Sequence, residues 1–221
     1  MRASGSFTIF PCPTLMAAYG RGLYIGGHFG TLAWLSPPQR CVQFLDEFRI
    51  SKRLRRIMRK GLYTITFDRD FQGVIKACAG RREGRWHLTW ITPHIMRAFA
   101  AMHEEGYLHS IEVWNQAGAL VGGGFGIGLG RVFFGESMFC REDHTSKLAA
   151  YVLHWHLERW GYVFSDAKTP SPPMLEMGCR MIPRAEFIRC LARHAHSGGK
   201  AGRWTVEADL KTVADWQPGA N

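Results

Sequence analysis

Apolar residues recur along this chain in two periods, and the switches between them mark out its elements. Between residues 47 and 60, Ile50, Leu54, Ile57 and Met58 fall at i, i+4, i+7 and i+8, one face of a helix that Gly61 would stop. Tyr63–Phe67 (YTITF) alternates as a strand. Asp70 stands at a capping position ahead of Phe71, Val74, Ile75 and Cys78 at helical spacing. Thr92-Pro93 supplies a cap with proline at the first helical position, and Gly106 closes that helix. Three strands follow in a row: Leu108–Trp114, joined across an Asn115–Gly118 turn to Ala119–Gly126, and then Arg131–Met138. Thr145–Trp160 predicts a long helix, Tyr162–Asp166 a short buried strand, and Arg184–His194 a last helix before a polar, glycine-bearing tail. Helices mixed with a mostly antiparallel meander predict an α+β fold, a sheet covered by helices.

The first forty residues read differently. They are rich in Gly, Pro and aromatics, with one short helix expected over Pro13–Arg21, and Ser36-Pro37-Pro38 forces a turn. This predicts a small N-terminal lobe over 1–46 and a main domain over 47–221. A chain of 221 residues with 46% hydrophobic content buries a sizeable core, which excludes a disordered chain, a collagen-like repeat and a disulfide mini-protein. The six cysteines form no Cys-x-x-Cys and none lies near a His at zinc-finger spacing, so free thiols in a reducing compartment are expected and a zinc site is not. No run approaches the roughly 18 apolar residues of a membrane span. The apolar patch from Phe7 to Phe10 is broken by Pro11 and Pro13 and makes a poor secretory signal, so a cytoplasmic protein is expected.

Charge sharpens the picture. Lys and Arg number 28 against 18 Asp and Glu, a net +10 that favours a polyanionic partner, above all nucleic acid. Arg49, Lys52, Arg53, Arg55, Arg56, Arg59 and Lys60 crowd the helix at 47–60 with no acid among them from 49 onward, a surface suited to phosphates or simply a solvated face. Trp34, Trp86 and Trp90 suit stacking on bases, lining a pocket or plain core packing. The run Gly122–Gly130 lacks a Walker lysine and leads into no helix, so it is no phosphate loop. Its alternating glycines strip side chains from one face of a strand, where a ligand or another backbone can lie flat; a bulged hairpin without further role is the plain alternative. Glu136 sits in an apolar strand and must either meet a cationic substrate group or pair with a Lys or Arg of the chain. Asp166 ends a buried strand just before a proline-studded loop, where either a working carboxylate or a turn residue fits. His154 and His156 lie two apart on a helix, on different faces, and the chain has no Gly-x-Ser-x-Gly elbow.

Several segments together resemble the leucyl/phenylalanyl-tRNA–protein transferase family. They are Met16-Ala17-Ala18-Tyr19-Gly20-Arg21-Gly22, Trp34 with Ser36-Pro37 and Arg40, Ile50-Ser51, Thr89-Trp90-Ile91-Thr92, His109-Ser110-Ile111-Glu112-Val113-Trp114, Gly135-Glu136-Ser137-Met138-Phe139, Ser146-Lys147, Asp166 and Ile182-Pro183-Arg184. They keep their order from about residue 14 to 195. The resemblance implies a Gcn5-related acetyltransferase-like (GNAT-like) catalytic domain behind a small lobe. It also implies transfer of leucine or phenylalanine from charged tRNA to the N-terminal Arg or Lys of a protein, marking that protein for degradation. No metal or cofactor is implied, and the family's members resemble monomers. Trp34, Trp90, Phe133 and Met138 would line the aminoacyl slot, Glu136 would meet the acceptor's cation, the basic helix would hold tRNA, and Asp166 would act in proton transfer.

This chain departs from the family at the site itself. The family's Asp-Cys-Gln reads Asp166-Ala167-Lys168, and a lysine held protonated by Asp166 cannot accept the amine's proton; either Lys168 is desolvated enough to act as the catalytic base, or the substrate's own hydroxyls shuttle the proton, or the usual chemistry is lost. Leu35 replaces a tryptophan, Gly124 a bulky residue and Ser165 an aliphatic one, so the slot is expected to be larger or more polar and the donor need not be Leu or Phe. Three alternatives follow: a relative that aminoacylates another amine, such as a peptide or metabolite; a tRNA-binding protein without catalysis; and, more remotely, an acyl-CoA acetyltransferase.

Overall fold

The computed structural model describes residues 12–28, 31–80 and 89–220; Trp86 and the apolar patch at 7–10 lie outside them. In chain order the elements are α1 (Cys12–Gly20), β1 (Tyr24–His28), β2 (Thr31–Leu35), β3 (Gln39–Phe44), a 3-10 turn at Leu45–Glu47, α2 (Lys52–Arg59), β4 (Tyr63–Phe67), α3 (Phe71–Ala79) and α4 (Pro93–Glu104). Then come β5 (Leu108–Asn115), β6 (Leu120–Leu129), β7 (Val132–Cys140), α5 (Thr145–Arg159), β8 (Phe164–Lys168), α6 (Pro172–Glu176), β9 (Arg180–Pro183), α7 (Arg184–His194) and α8 (Leu210–Ala214).

The helix starts follow from capping chemistry. Ser51 accepts from the backbone N–H of Leu54, Asp70 from that of Gly73, and Thr92 from that of Ile95, each satisfying a donor that the first helical turn leaves free. The strands assemble into a seven-stranded sheet ordered β4-β5-β6-β7-β8-β3-β9, with β1 and β2 as a separate hairpin. Every pair in the large sheet is antiparallel except β7 with β8. That parallel pair is short, running only from Val132↔Phe164 to Phe134↔Asp166. Beyond it the two strands have different neighbours, β7 pairing on with β6 and β8 with β3, so the sheet opens into a wedge. Side-chain alternation sends Phe134 to a core with α1, α3, α4 and α7, and Phe133 to a second core with α2, α5 and α8.

Strand β3 precedes residue 46 yet lies inside the large sheet, between β8 and β9, while only the β1–β2 hairpin stands apart. The glycine row of β6 is covered chiefly by the protein itself. A Cβ on Gly126 would fall 2.3 Å from the Phe133 ring and 2.4 Å from the Phe134 carbonyl oxygen, so glycine is required there by close approach; Gly124, beside Met138, also faces the cavity described below.

The chain after α7, which its composition paints as a polar tail, is a working part of the second core. Trp204 is buried, its ring stacked on His109 at 3.7 Å, and its backbone N–H donates to Asp68 Oδ2 at 2.8 Å. Asp68, itself in the left-handed region at φ 53, also takes His109 Nδ1 at 2.8 Å and the Ser110 backbone N–H at 2.9 Å. His156 Nε2 accepts the Glu207 N–H, and Trp216 Nε1 donates to Glu158. The His109–Trp114 segment therefore clamps the C-terminal chain to the sheet. Truncating Trp204→Ala is expected to lower the unfolding free energy by about 3–5 kcal/mol, read as a shifted denaturant midpoint.

Candidate active site

A cavity of about 640 Å³ opens at the wedge between β7 and β8. Leu35, Trp90, Gly124, Phe133, Met138 and Ser165 all line it, together with Glu136, Asp166 and Lys168 from the two diverging strands. Trp34 is not among the lining residues and instead packs against the first core. The hairpin's alternation explains the split, because consecutive strand residues face opposite sides.

Two carboxylates are sealed from water at this split. Asp166 is gripped by Arg40 of β3, whose Nε donates to Oδ1 at 2.8 Å and Nη2 to Oδ2 at 2.7 Å. The guanidinium is sandwiched between the Tyr24 and Phe187 rings, its carbon 4.4 and 4.5 Å from their centroids, and Nη1 donates to the Gly22 carbonyl. A bidentate, stacked arginine fits this planar geometry as no lysine would. Asp166 Oδ1 also accepts the Lys168 backbone N–H at 2.9 Å.

The Lys168 side chain does not pair with Asp166. It crosses the wedge to β7, where its ammonium donates to the Gly135 carbonyl at 2.8 Å and makes an ion pair with Glu136 Oε1 at 2.5 Å. A bulge between β3 and β8 skips Ala167 and sets Lys168 at φ 63, a left-handed conformation that costs a β-carbon-bearing residue on the order of 1–2 kcal/mol. The expectation that the Lys168 side chain is held by Asp166 is therefore corrected: its partner is Glu136, because Arg40 already satisfies Asp166. The Glu136 side chain is fully buried, with the Lys168 ammonium as its ionic partner. Burial pushes its carboxyl above the ordinary range, with Lys168 opposing that push. Tyr19, also fully buried beside Glu136, has its hydroxyl raised well above the usual range by burial.

On the other side of β8, Ser165 Oγ lies 2.7 Å from His154 Nε2, and His154 Nδ1 lies 2.6 Å from the Ala150 carbonyl. Burial lowers the His154 pKa to about 4. Arg40, His154 and Tyr19 received no role from the sequence; a buried acid demands a cation, but 126 residues separate Arg40 from Asp166.

The basic helix α2 divides its charges. Arg55 donates to the Ala214 and Trp216 carbonyls and Arg59 pairs with Asp215, so both brace the C-terminal chain. Arg49, Lys52, Arg53, Arg56 and Lys60 are exposed and make no ion pair among the described residues. The described residues hold no cluster of His, Cys, Asp or Glu arranged for a metal ion, and no helix long and apolar enough to cross a membrane.

These features define an α+β protein with a ligand-sized cleft in a split sheet, lined by apolar side chains together with two buried, cation-paired carboxylates. The sequence profile of the leucyl/phenylalanyl-tRNA protein transferases matches residues 42–192. The leucyl/phenylalanyl-tRNA–protein transferase of Azotobacter vinelandii is 40% identical over 203 residues, covering 91% of this chain and 83% of that one. That of Aromatoleum aromaticum is 42% identical over 194 residues, covering 87% and 81%. The solved structure of L-PGS from Bacillus licheniformis superposes with a TM-score of 0.41 at 14% identity, covering 60% of this chain and 47% of that one. The chain belongs to the leucyl/phenylalanyl-tRNA protein transferase family, and so to the aminoacyltransferases.

The buried imidazole carries a pH signature. Unfolded, it binds a proton near 6.5; folded, only near 4, so the unfolded state holds more protons across that window and stability falls as pH drops through it. His154→Gln is expected to flatten the fall between pH 6.5 and 4 by roughly 3 kcal/mol, measured by denaturant titration of both proteins at each pH.

Proposed function

We propose that this chain moves an amino acid, leucine, phenylalanine or one of similar bulk, from charged tRNA to the N-terminal amine of a protein that begins with Arg or Lys, marking it for degradation. The observation that carries this reading is the apolar slot that ends at two buried carboxylates, in a chain about 40% identical over most of its length to enzymes of that name. The parallel pair that diverges at the cleft supports a GNAT-like catalytic domain. The exposed cations of α2 suit the phosphates of tRNA, in a monomer working in the cytoplasm.

The reaction is aminolysis of an ester that the charged tRNA brings already activated, so the chemistry needs no cofactor. The amine loses a proton and the leaving ribose oxygen gains one. Holding amine and ester together is worth about 7–11 kcal/mol of the barrier. Asp166, clamped by Arg40, positions the Lys168 backbone rather than taking the proton. Lys168 is engaged with Glu136 and the Gly135 carbonyl, and the proton passes to the ribose through the substrate's own hydroxyls. Lys168 also stands where the acceptor's cation would meet Glu136, and a basic N-terminus must displace it.

The direct test gives the purified protein tRNAs charged with each amino acid and a peptide beginning with Arg; a new amide bond is expected. Transfer only to non-protein amines would move the function to another acceptor, and salt-sensitive tRNA binding without transfer would make the chain a tRNA-binding protein. Lys168→Gln is expected to lower the KM for the Arg peptide by roughly tenfold, since a buried carboxylate without its partner gains most from a new cation; loss of all transfer would instead make Lys168 essential. Replacing Lys52, Arg53 and Arg56 by Ala is expected to weaken tRNA binding and reduce the log–log salt slope by about 2–3.

A further inference from the structure

The cavity carries a polar pair in its wall, contributed by β8 and α5. Ser165 and Asp166 are consecutive on β8 and face opposite sides of the sheet, Asp166 toward Arg40 and Ser165 toward α5. There it meets His154, whose ring is stacked on Phe48 at 4.6 Å. The direction of each hydrogen bond follows from the chemistry. A ring nitrogen 2.6 Å from a carbonyl oxygen must carry the proton, so Nδ1–H donates to Ala150. The neutral ring then has a bare lone pair at Nε2, and the Ser165 hydroxyl, 2.7 Å away, donates to it. The only proton of Ser165 is thereby spent, and its oxygen is left as an acceptor toward the cavity that both residues line. Gln43, the cross-strand partner of Ser165, donates one N–H to the Phe44 carbonyl and accepts from the Cys179 thiol.

Phe133 is the parallel-strand neighbour of Ser165, and Phe48, Met138 and Leu153 add further apolar surface to the same cavity. An imidazole this weakly basic is a poor base for turning the serine into a nucleophile, so the pair acts by recognition rather than by forming an acyl-enzyme. We infer that Ser165, oriented by His154, is a specificity-determining acceptor in the wall of the donor slot, which selects an amino acid whose side chain is bulky and apolar but ends in a hydroxyl or N–H, as tyrosine's does. Leucine or phenylalanine would bury the Ser165 oxygen against carbon, leaving its acceptor capacity unmet. This rests on the proposed aminoacyl transfer and names its donor.

The test acylates one tRNA in turn with tyrosine, phenylalanine and leucine and measures transfer by the full chain to an Arg-initiated peptide. The expected kcat/KM for tyrosine exceeds that for phenylalanine by about tenfold or more. Ser165→Val is expected to abolish this advantage and raise phenylalanyl transfer, with Ser165→Ala as a smaller change should valine disturb packing. Phenylalanine or leucine preferred by the unaltered chain, or a ratio that neither substitution moves, would overturn the inference. A second arm measures binding of 3′-tyrosylamino-adenosine against 3′-phenylalanylamino-adenosine. Tighter tyrosyl binding supports the inference and equal or weaker binding overturns it, even if transfer from every tRNA failed and removed the proposed reaction itself.

Discussion

Two carboxylates lie out of water where the sheet splits, and each must be matched by a cation held within the fold. Asp166 is matched by Arg40, and that requirement organises the first part of the chain: Gly22 supplies a carbonyl, Tyr24 one face of the ring sandwich, and β3 enters the large sheet to bring the guanidinium to β8. From the other end of the sequence α7 closes the sandwich with Phe187. The hairpin, β3 and α7 are thus fixed by one ion pair. Glu136 is matched by Lys168, which straps the two diverging strands together across the mouth of the cleft.

Those two pairs leave the site preorganised but partly self-occupied. The slot beneath them is shaped by β6, β7 and α5, and the glycines of β6 let Phe133 and Met138 lie close over that strand. The electrostatics divide in the same way as the geometry. Cations that build the fold, Arg40, Arg55 and Arg59, are engaged with the chain's own acids and carbonyls, while Lys52, Arg53, Arg56 and Lys60 face outward. A net charge of +10 is therefore not one patch but a structural set and a set exposed to solvent.

Local chemistry was legible in the sequence. The caps at Asp70 and Thr92 are single-residue signals, and the helices they open start where those signals put them, whereas the basic helix, expected over 47–60, begins only after its cap Ser51 and runs Lys52–Arg59. Strand β3 was not, because QRCVQF carries its meaning only through partners at 164–168 and 180–183. Nor was the C-terminal chain, whose glycines and charges mask Trp204, Val213 and Trp216, all buried. Within the site, the sequence marked Glu136, Asp166 and Lys168 as the residues in question, and the cavity brings them together. It did not show which cation serves which acid, since a buried charge says that a partner exists but not where in the chain it lies. His154 and Ser165 escaped notice as a pair for the same reason: they meet only when α5 packs on β8.

Aminoacyl transfer by this chain requires the aminoacyl end of a charged RNA to enter the wedge between β7 and β8. A crystal structure of this chain with a non-hydrolysable 3′-aminoacylamino-adenosine tests that placement directly. The side chain is expected between Phe133, Met138 and Leu153, with its α-carbonyl toward Lys168 and Asp166. An analogue bound on any other surface, with the wedge left empty, would contradict it.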